Sequence, residues 1–267
     1  MVIFMNKLKV GWVGLLQEDA QYWENLLILA KLGYKGLEGG DNFLKADKDI
    51  ERLRGIGLRV LTIGADLEEL KKERYQEVVD KVKKLGADRA TVWACSVNAS
   101  FWGEEPQYDE VMRDIEVMEK AASILNVEGI QLCYHNHFQD FTVSFNHVRF
   151  IDLLLLHTKE LKLELDTGWV QNGLENPCTF MRRTGLRINA IHVKDYCSGE
   201  KRKGYMGYNP IFTTVGNGEL DVPSILDTAQ DLGIEWAIVE QDELHNLNAV
   251  ESLAASYLNM KETGYIE

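Results

Sequence analysis

Three side chains able to hold a divalent metal each close an apolar run in the C-terminal half of this 267-residue chain. They are Asp166 in ELKLELDTGW, His192 in INAIHVKDY and Glu240 in EWAIVEQDE. Two carboxylates and an imidazole give a mixed oxygen and nitrogen donor set, which suits Mn²⁺, Co²⁺, Zn²⁺ or Fe²⁺ better than Ca²⁺. Taken singly, each residue has a plainer reading. Asp166 before Thr-Gly is a turn or helix-capping residue, His192 a hydrogen-bonded core histidine and Glu240 a surface glutamate. What sets them apart is registration, because they fall at the same place in three successive units. If those runs are neighbouring parallel strands, the three side chains meet at one rim.

A fourth ligand is expected from GIQLCYHNH (residues 129–137). Alternation puts Cys133, His135 and His137 on one face of that strand and Tyr134 and Asn136 on the other. His135 then lies nearest the metal with His137 above it, and Asp140 is the rival ligand if the strand turns over early. The same alternation is expected to point Lys194 away from the metal, within reach of a substrate hydroxyl or of Asp195.

Elements that could position these groups run almost from end to end. Strand-like runs at 8–15, 34–40, 58–65, 88–96, 129–137, 161–169, 188–196 and 235–241 alternate with amphipathic segments near 19–32, 47–56, 67–85, 108–125, 146–157, 177–184, 222–232 and 247–263. Near-continuous apolar runs suit parallel strands buried on both faces. Eight βα units without a break in composition predict a single (βα)8 TIM barrel over residues 1–267, with catalytic groups at the C-terminal strand ends. An open nucleotide-binding sheet would carry GxGxxG after its first strand, where this chain reads GWVGLLQED. The rim then also holds Glu38 and Asp66, and Trp12, Trp93 and Trp169 could stack on the apolar face of a sugar or pack in the core.

Composition narrows the function. A formal net charge of −13 excludes the basic stripe that nucleic acid needs. No run approaches a membrane span, and the four cysteines lie far apart with no CxxC, so a reduced, soluble cytoplasmic protein is expected. The long connection 197–219 is expected to serve as a lid or a homo-oligomer contact through Tyr205, Tyr208 and Phe212. Its VGNGE turn reads as a loop before a helix rather than as a phosphate cradle.

GYKGLEGG, YHNHFQDF, LELDTGWV, IHVKD, VGNGELD and IVEQDE together resemble the sugar phosphate isomerase/epimerase family with the xylose isomerase-like TIM barrel, over nearly the whole chain. That family takes in inosose dehydratase, tagatose/psicose 3-epimerases and endonuclease IV. The resemblance implies that Asp166, His192 and Glu240 are metal ligands. Epimerases of the family offer a Glu on strand 5, where this chain has His135, so a symmetric two-glutamate proton exchange does not carry over. The His-x-His pattern is closer to the inosose dehydratase branch. The reading is a divalent-metal enzyme, Mn²⁺ first, acting on a sugar or polyol by removing a proton next to a carbonyl. Isomerisation or epimerisation is the leading outcome. Dehydration of an inosose, or cleavage of a 3-keto-glycoside, is the alternative. His137, Glu240 and Lys194 are the catalytic candidates, and Glu38, Trp169, His135 and Trp93 the substrate contacts.

Overall fold

The apolar runs do assemble into one closed sheet. The computed structural model describes residues 6–197 and 210–267. The strands are β1 Lys9–Val13, β2 Gly36–Glu38, β3 in two pieces (Arg59–Val60 and Thr62–Gly64), β4 Arg89–Val92, β5 Gln131–His135, β6 Lys162–Asp166, β7 Ile188–Val193 and β8 Trp236–Val239. Every pairing among them is parallel, and β8 returns to β1. The first piece of β3 pairs with β2 and the second with β4, so the strand interrupted at Leu61 completes the ring. Backbone hydrogen bonds from Leu61 to Leu37 and from Gly39 to Thr62 hold β2 and β3 together across the interruption.

Helices follow each strand: α1 Tyr22–Leu32, α2 Asp47–Gly55, α3 Leu67–Lys71, α4 Tyr75–Leu85, α5 Tyr108–Val127, α6 Gln139–Thr142, α7 Phe150–His157, α8 Thr167–Asn172, α9 Pro177–Thr184, α10 Val222–Asp231 and α11 Ala249–Glu262. This is the (βα)8 barrel that the alternation predicts. Several starts are capped by the expected short polar side chains, among them Asp66, Asp166, Asn176, Asp221 and Asn248.

Element boundaries differ from expectation most clearly at three places. The helix expected over 67–85 is two helices, because Glu73 has φ 59° and turns the chain between them. The helix expected from 146 starts at Phe150. Asn146 and His147 both have positive φ and form the turn of a hairpin, Ser144–Phe145 with Val148–Arg149. Asn and His tolerate that region better than most residues. The strand expected to reach residue 96 stops at Val92, and a 3₁₀ turn spans Ser96–Trp102.

Inside the barrel, Leu61, Ala190, Trp236 and Ile238 form a small apolar cluster of their own. Trp236 and Ala190 belong to the N-terminal halves of β8 and β7, and Arg89, the first residue of β4, adds a buried charge at that end of the barrel. No helix among the described residues is long and apolar enough to cross a membrane.

Candidate metal centre and its surroundings

The sheet register brings the predicted ligands together. His192 on β7 stands level with Asp166 on β6 and with Ile238 on β8. The Glu240 amide continues the ladder by donating to the Val193 carbonyl. Together with His135 at the end of β5, these residues place one ligand atom each within 4.8 Å of one another. His135 Nε2 is 3.9 Å from both Asp166 Oδ2 and Glu240 Oε2, and His192 Nδ1 is 2.8 Å from Glu240 Oε2.

Asp166 takes the helix-capping role and leaves its second oxygen without a hydrogen bond. Its Oδ1 accepts from the Trp169 amide at 2.7 Å and caps α8, while its buried Oδ2 takes no hydrogen bond. Asn136, the middle of the His-Asn-His run, clamps the Asp166 backbone. Its Oδ1 accepts from the Asp166 amide at 2.8 Å, and its Nδ2 donates to the Asp166 carbonyl at 3.1 Å. Behind Asp166, a Cβ on Gly168 would fall 2.1 Å from the Lys194 carbonyl oxygen, so only glycine lets α8 start this close to β7. A buried carboxylate oxygen with no hydrogen bond, inside a two-nitrogen, two-carboxylate donor set, fits a divalent cation.

Beneath this group lies a second buried layer that sequence reasoning largely missed. His192 Nε2 is 2.9 Å from Glu38 Oε2 and 3.5 Å from Glu164 Oε2. Arg89 Nη2 donates to Glu38 Oε1 at 2.8 Å, and its Nε lies 3.4 Å from Glu164 Oε1. All four side chains are buried. Glu38, a substrate-contact candidate from the sequence, is locked between Arg89 and the far nitrogen of His192. Burial raises the Glu164 carboxyl to about 8, and Glu38 adds to the shift. Glu38 itself stays ionised against the same burial because His192 and Arg89 hold its charge. Alternation gave the missed signal: Glu164 is two residues before Asp166 and shares its face.

Lys194 corrects an expectation outright. Residues two apart on a strand share a face, so Lys194 lies on the side of His192 and not away from it. Its ammonium is 3.3 Å from Asp166 Oδ2, 3.1 Å from Glu240 Oε1 and 2.9 Å from Asp242 Oδ1. The rings of Trp169 and Phe212 lie 4.8 and 5.4 Å from it. Burial disfavours the ammonium, yet the three carboxylates raise its pKa overall. For Glu240, burial is likewise outweighed, by Lys194 and His192. Burial pushes Asp166 up to about 7, against Lys194.

His137 follows β5 with its ring centroid 5.1 Å from His135, 5.9 Å from Trp169 and 5.4 Å from Phe101. Burial pushes it down to about 3, with Lys194 acting in the same direction, so the ring is a neutral imidazole. Its Nδ1 is buried without a hydrogen bond, as is Trp169 Nε1. Asp140 is turned away from the cluster, accepting from the His137 amide at 2.8 Å and the Tyr134 hydroxyl at 3.2 Å.

The remaining candidates are spread more widely. Trp93 lies over Gly64, where a Cβ would meet the ring at 2.6 Å. It lines a cavity of about 510 Å³ with Lys71, Ser96 and Asp114, and none of the four clustered candidate ligands lines it. Trp12 packs edge-on against Tyr34 in the core. Asp66 caps α3 through the Glu68 amide. Of the aromatic loop, Phe212 is seen in Ile211–Thr213, paired antiparallel with Asp195–Cys197, while Tyr205 and Tyr208 lie outside the described residues. The VGNGE turn wraps Asp195, whose carboxylate accepts from the Gly216, Gly218 and Leu220 amides. Those donors are therefore committed to the protein's own carboxylate.

The model of the xylose isomerase-like TIM barrel family matches residues 26–259, and the chain belongs to that family. Among curated proteins it is 25% identical to an inosose dehydratase of Lacticaseibacillus casei over 275 residues, covering 91% of each chain. Among solved structures it resembles a sugar phosphate isomerase/epimerase from Parabacteroides distasonis. That match has a TM-score of 0.76 and 21% identity, over 99% of this chain and 97% of the other. It also resembles the probable 3-DHS dehydratase AsbF from Bacillus anthracis, with a TM-score of 0.73 and 14% identity, over 95% and 99% of the two chains.

Proposed function

We propose that this protein is a divalent-metal-dependent dehydratase of a polyol ketone. It would remove the proton next to the carbonyl and expel the hydroxyl one carbon further on. His135, Asp166, His192 and Glu240 would hold the cation, with Mn²⁺ the first candidate. When bound there, the cation would polarise a carbonyl and its neighbouring hydroxyl and so acidify the adjacent carbon.

The observation that carries the reading is the unlike pair of proton-handling groups at one rim. His137 is a neutral imidazole with an unpartnered Nδ1, and Lys194 is a buried ammonium. The symmetric exchange of a proton between two carboxylates, one on each face of the sugar, is not what this pair offers. An elimination needs one base and one donor, and the two do different work. The C–H proton passes to His137 Nδ1, the carbon–carbon double bond forms, the C–O bond breaks, and the oxygen leaves as water with a proton from Lys194 Nζ. Transfer of the proton from His137 back to Lys194 resets the site. The buried ring of Trp169 bounds both groups.

The name of the Lacticaseibacillus casei relative points to an inosose as the substrate. A phosphorylated substrate is not favoured, because the glycine-rich turn spends its amides on Asp195. A second reading rests on Glu240, the only one of the four ligands whose side chain is appreciably exposed, at 19%. Acting as a second base it would return the proton elsewhere and give isomerisation or epimerisation. The test is mass spectrometry of inososes and ketoses incubated with the Mn²⁺-loaded protein. A product lighter by one water supports dehydration. A product of unchanged mass and new stereochemistry supports the second reading, and unreacted substrates across the panel would count against both.

A further inference from the structure

The Lys194 ammonium draws on two carboxylates that also belong to the candidate metal set, Asp166 Oδ2 at 3.3 Å and Glu240 Oε1 at 3.1 Å. Its shortest contact is with a third, Asp242 Oδ1 at 2.9 Å, which is not in that set. A divalent cation and an ammonium drawing on the same two carboxylates repel one another. The ammonium cannot retreat toward Trp169 and Phe212, whose rings already lie against it at 4.8 and 5.4 Å. Asp242 stands on the open side, with a side chain 36% exposed, two residues past Glu240.

We propose that Asp242 is a positioning residue that holds the Lys194 ammonium aside, so that Asp166 and Glu240 are free to take a divalent cation. Lys194 is then an internal competitor of the metal, and Asp242 sets how strongly it competes. With the cation in place, the ammonium stays beside the cluster on Asp242 and turns its remaining N–H groups toward an oxygen of a neutral polyol. The inference rests on the assignment of Asp166 and Glu240 as metal ligands and adds a role for a residue that does not touch the metal.

A double-mutant cycle on Mn²⁺ dissociation constants, measured by competition with a chromophoric chelator, tests it. Asp242→Asn should weaken Mn²⁺ binding roughly tenfold, and Lys194→Gln should tighten it. In the Lys194→Gln background, Asp242→Asn should cost less than about threefold, because its target is gone. Asp242→Glu, which keeps the charge, should stay close to the wild-type constant. An equal loss from Asp242→Asn in both backgrounds would overturn the inference and leave the metal assignment standing. Absence of Mn²⁺ binding by the wild-type protein would overturn both. If Lys194→Gln does not fold, the Asn and Glu variants of the exposed Asp242 decide: loss in Asn alone supports the inference, and equal loss or none refutes it.

Discussion

Arg89→Met isolates the buried charge layer beneath the metal set. Arg89 is the only guanidinium there, fully buried, 2.8 Å from Glu38 and 3.4 Å from Glu164. Met approximates its aliphatic stem, so packing is largely kept and the charge is what is lost. Glu38 would then keep only the cationic ring of His192, which Glu240 also claims, while the Glu164 carboxyl stays protonated near neutral pH. Removing one partner of a buried ion pair costs about 3–5 kcal/mol, because the remaining charge stays buried without compensation. At about 2–4 °C per kcal/mol for a domain of this size, the melting temperature should fall by on the order of 10 °C. Adding Glu164→Gln to Arg89→Met should change the melting temperature little further, since burial already raises the Glu164 carboxyl to about 8 and keeps it protonated near neutral pH. Lys120→Ala, which breaks an exposed pair with Glu73, should leave the melting temperature unchanged. The assay is thermal and urea unfolding of the metal-free protein. An Arg89→Met variant within 1 kcal/mol of wild type would refute the claim that this cation holds the layer together.

Glu38→Gln should weaken Mn²⁺ binding by roughly 10–100-fold, since Glu38 accepts from the far nitrogen of His192 and fixes how the ring faces the cluster; an unchanged constant would remove Glu38 from that role. His137→Ala should keep its metal, seen by chelator competition, while turnover falls by roughly 10²–10⁴. Undiminished turnover would take His137 out of the mechanism. Asp140→Asn tests a pH effect outside the metal set. Burial raises Asp140 from 3.8 to about 8, so the folded state keeps a proton that the unfolded chain releases. Its contribution is fully present below pH 3.8 and is lost as pH rises through about 8. The wild-type protein should therefore lose stability across that window in urea titrations, and Asp140→Asn should lose less of it.

The barrel and the four clustered candidate ligands were legible because they follow from period and registration. Apolar runs of strand length placed Asp166, His192 and Glu240 at equivalent ends, and parallel pairing made those ends neighbours in space. Alternation along β5 likewise placed His135 beside them. The buried layer was harder to see, because Glu38, Arg89 and Glu164 come from three separate strands and each reads locally as an ordinary charged residue. Only closure of the ring brings their side chains to one level under His192. Lys194 was misread by one step of the same alternation that located His135. Asp242 could not have been found this way, since it sits past the last strand where no period applies. The early turn at Asn146 and His147 was hidden because two successive left-handed non-glycine residues leave only a weak trace in a sequence.

Proton exchange in D₂O is the most direct test of the central claim, that a metal-loaded site removes the proton beside a polyol carbonyl. The Mn²⁺-loaded protein is given an inosose, the reaction is stopped at intervals, the Mn²⁺ is removed, and substrate and product are followed by NMR. The account predicts loss of the proton next to the carbonyl together with an unsaturated ketone. It further predicts that neither appears with Asp166→Ala. Turnover of the inosose with that proton retained, in protein of confirmed metal content, would contradict it.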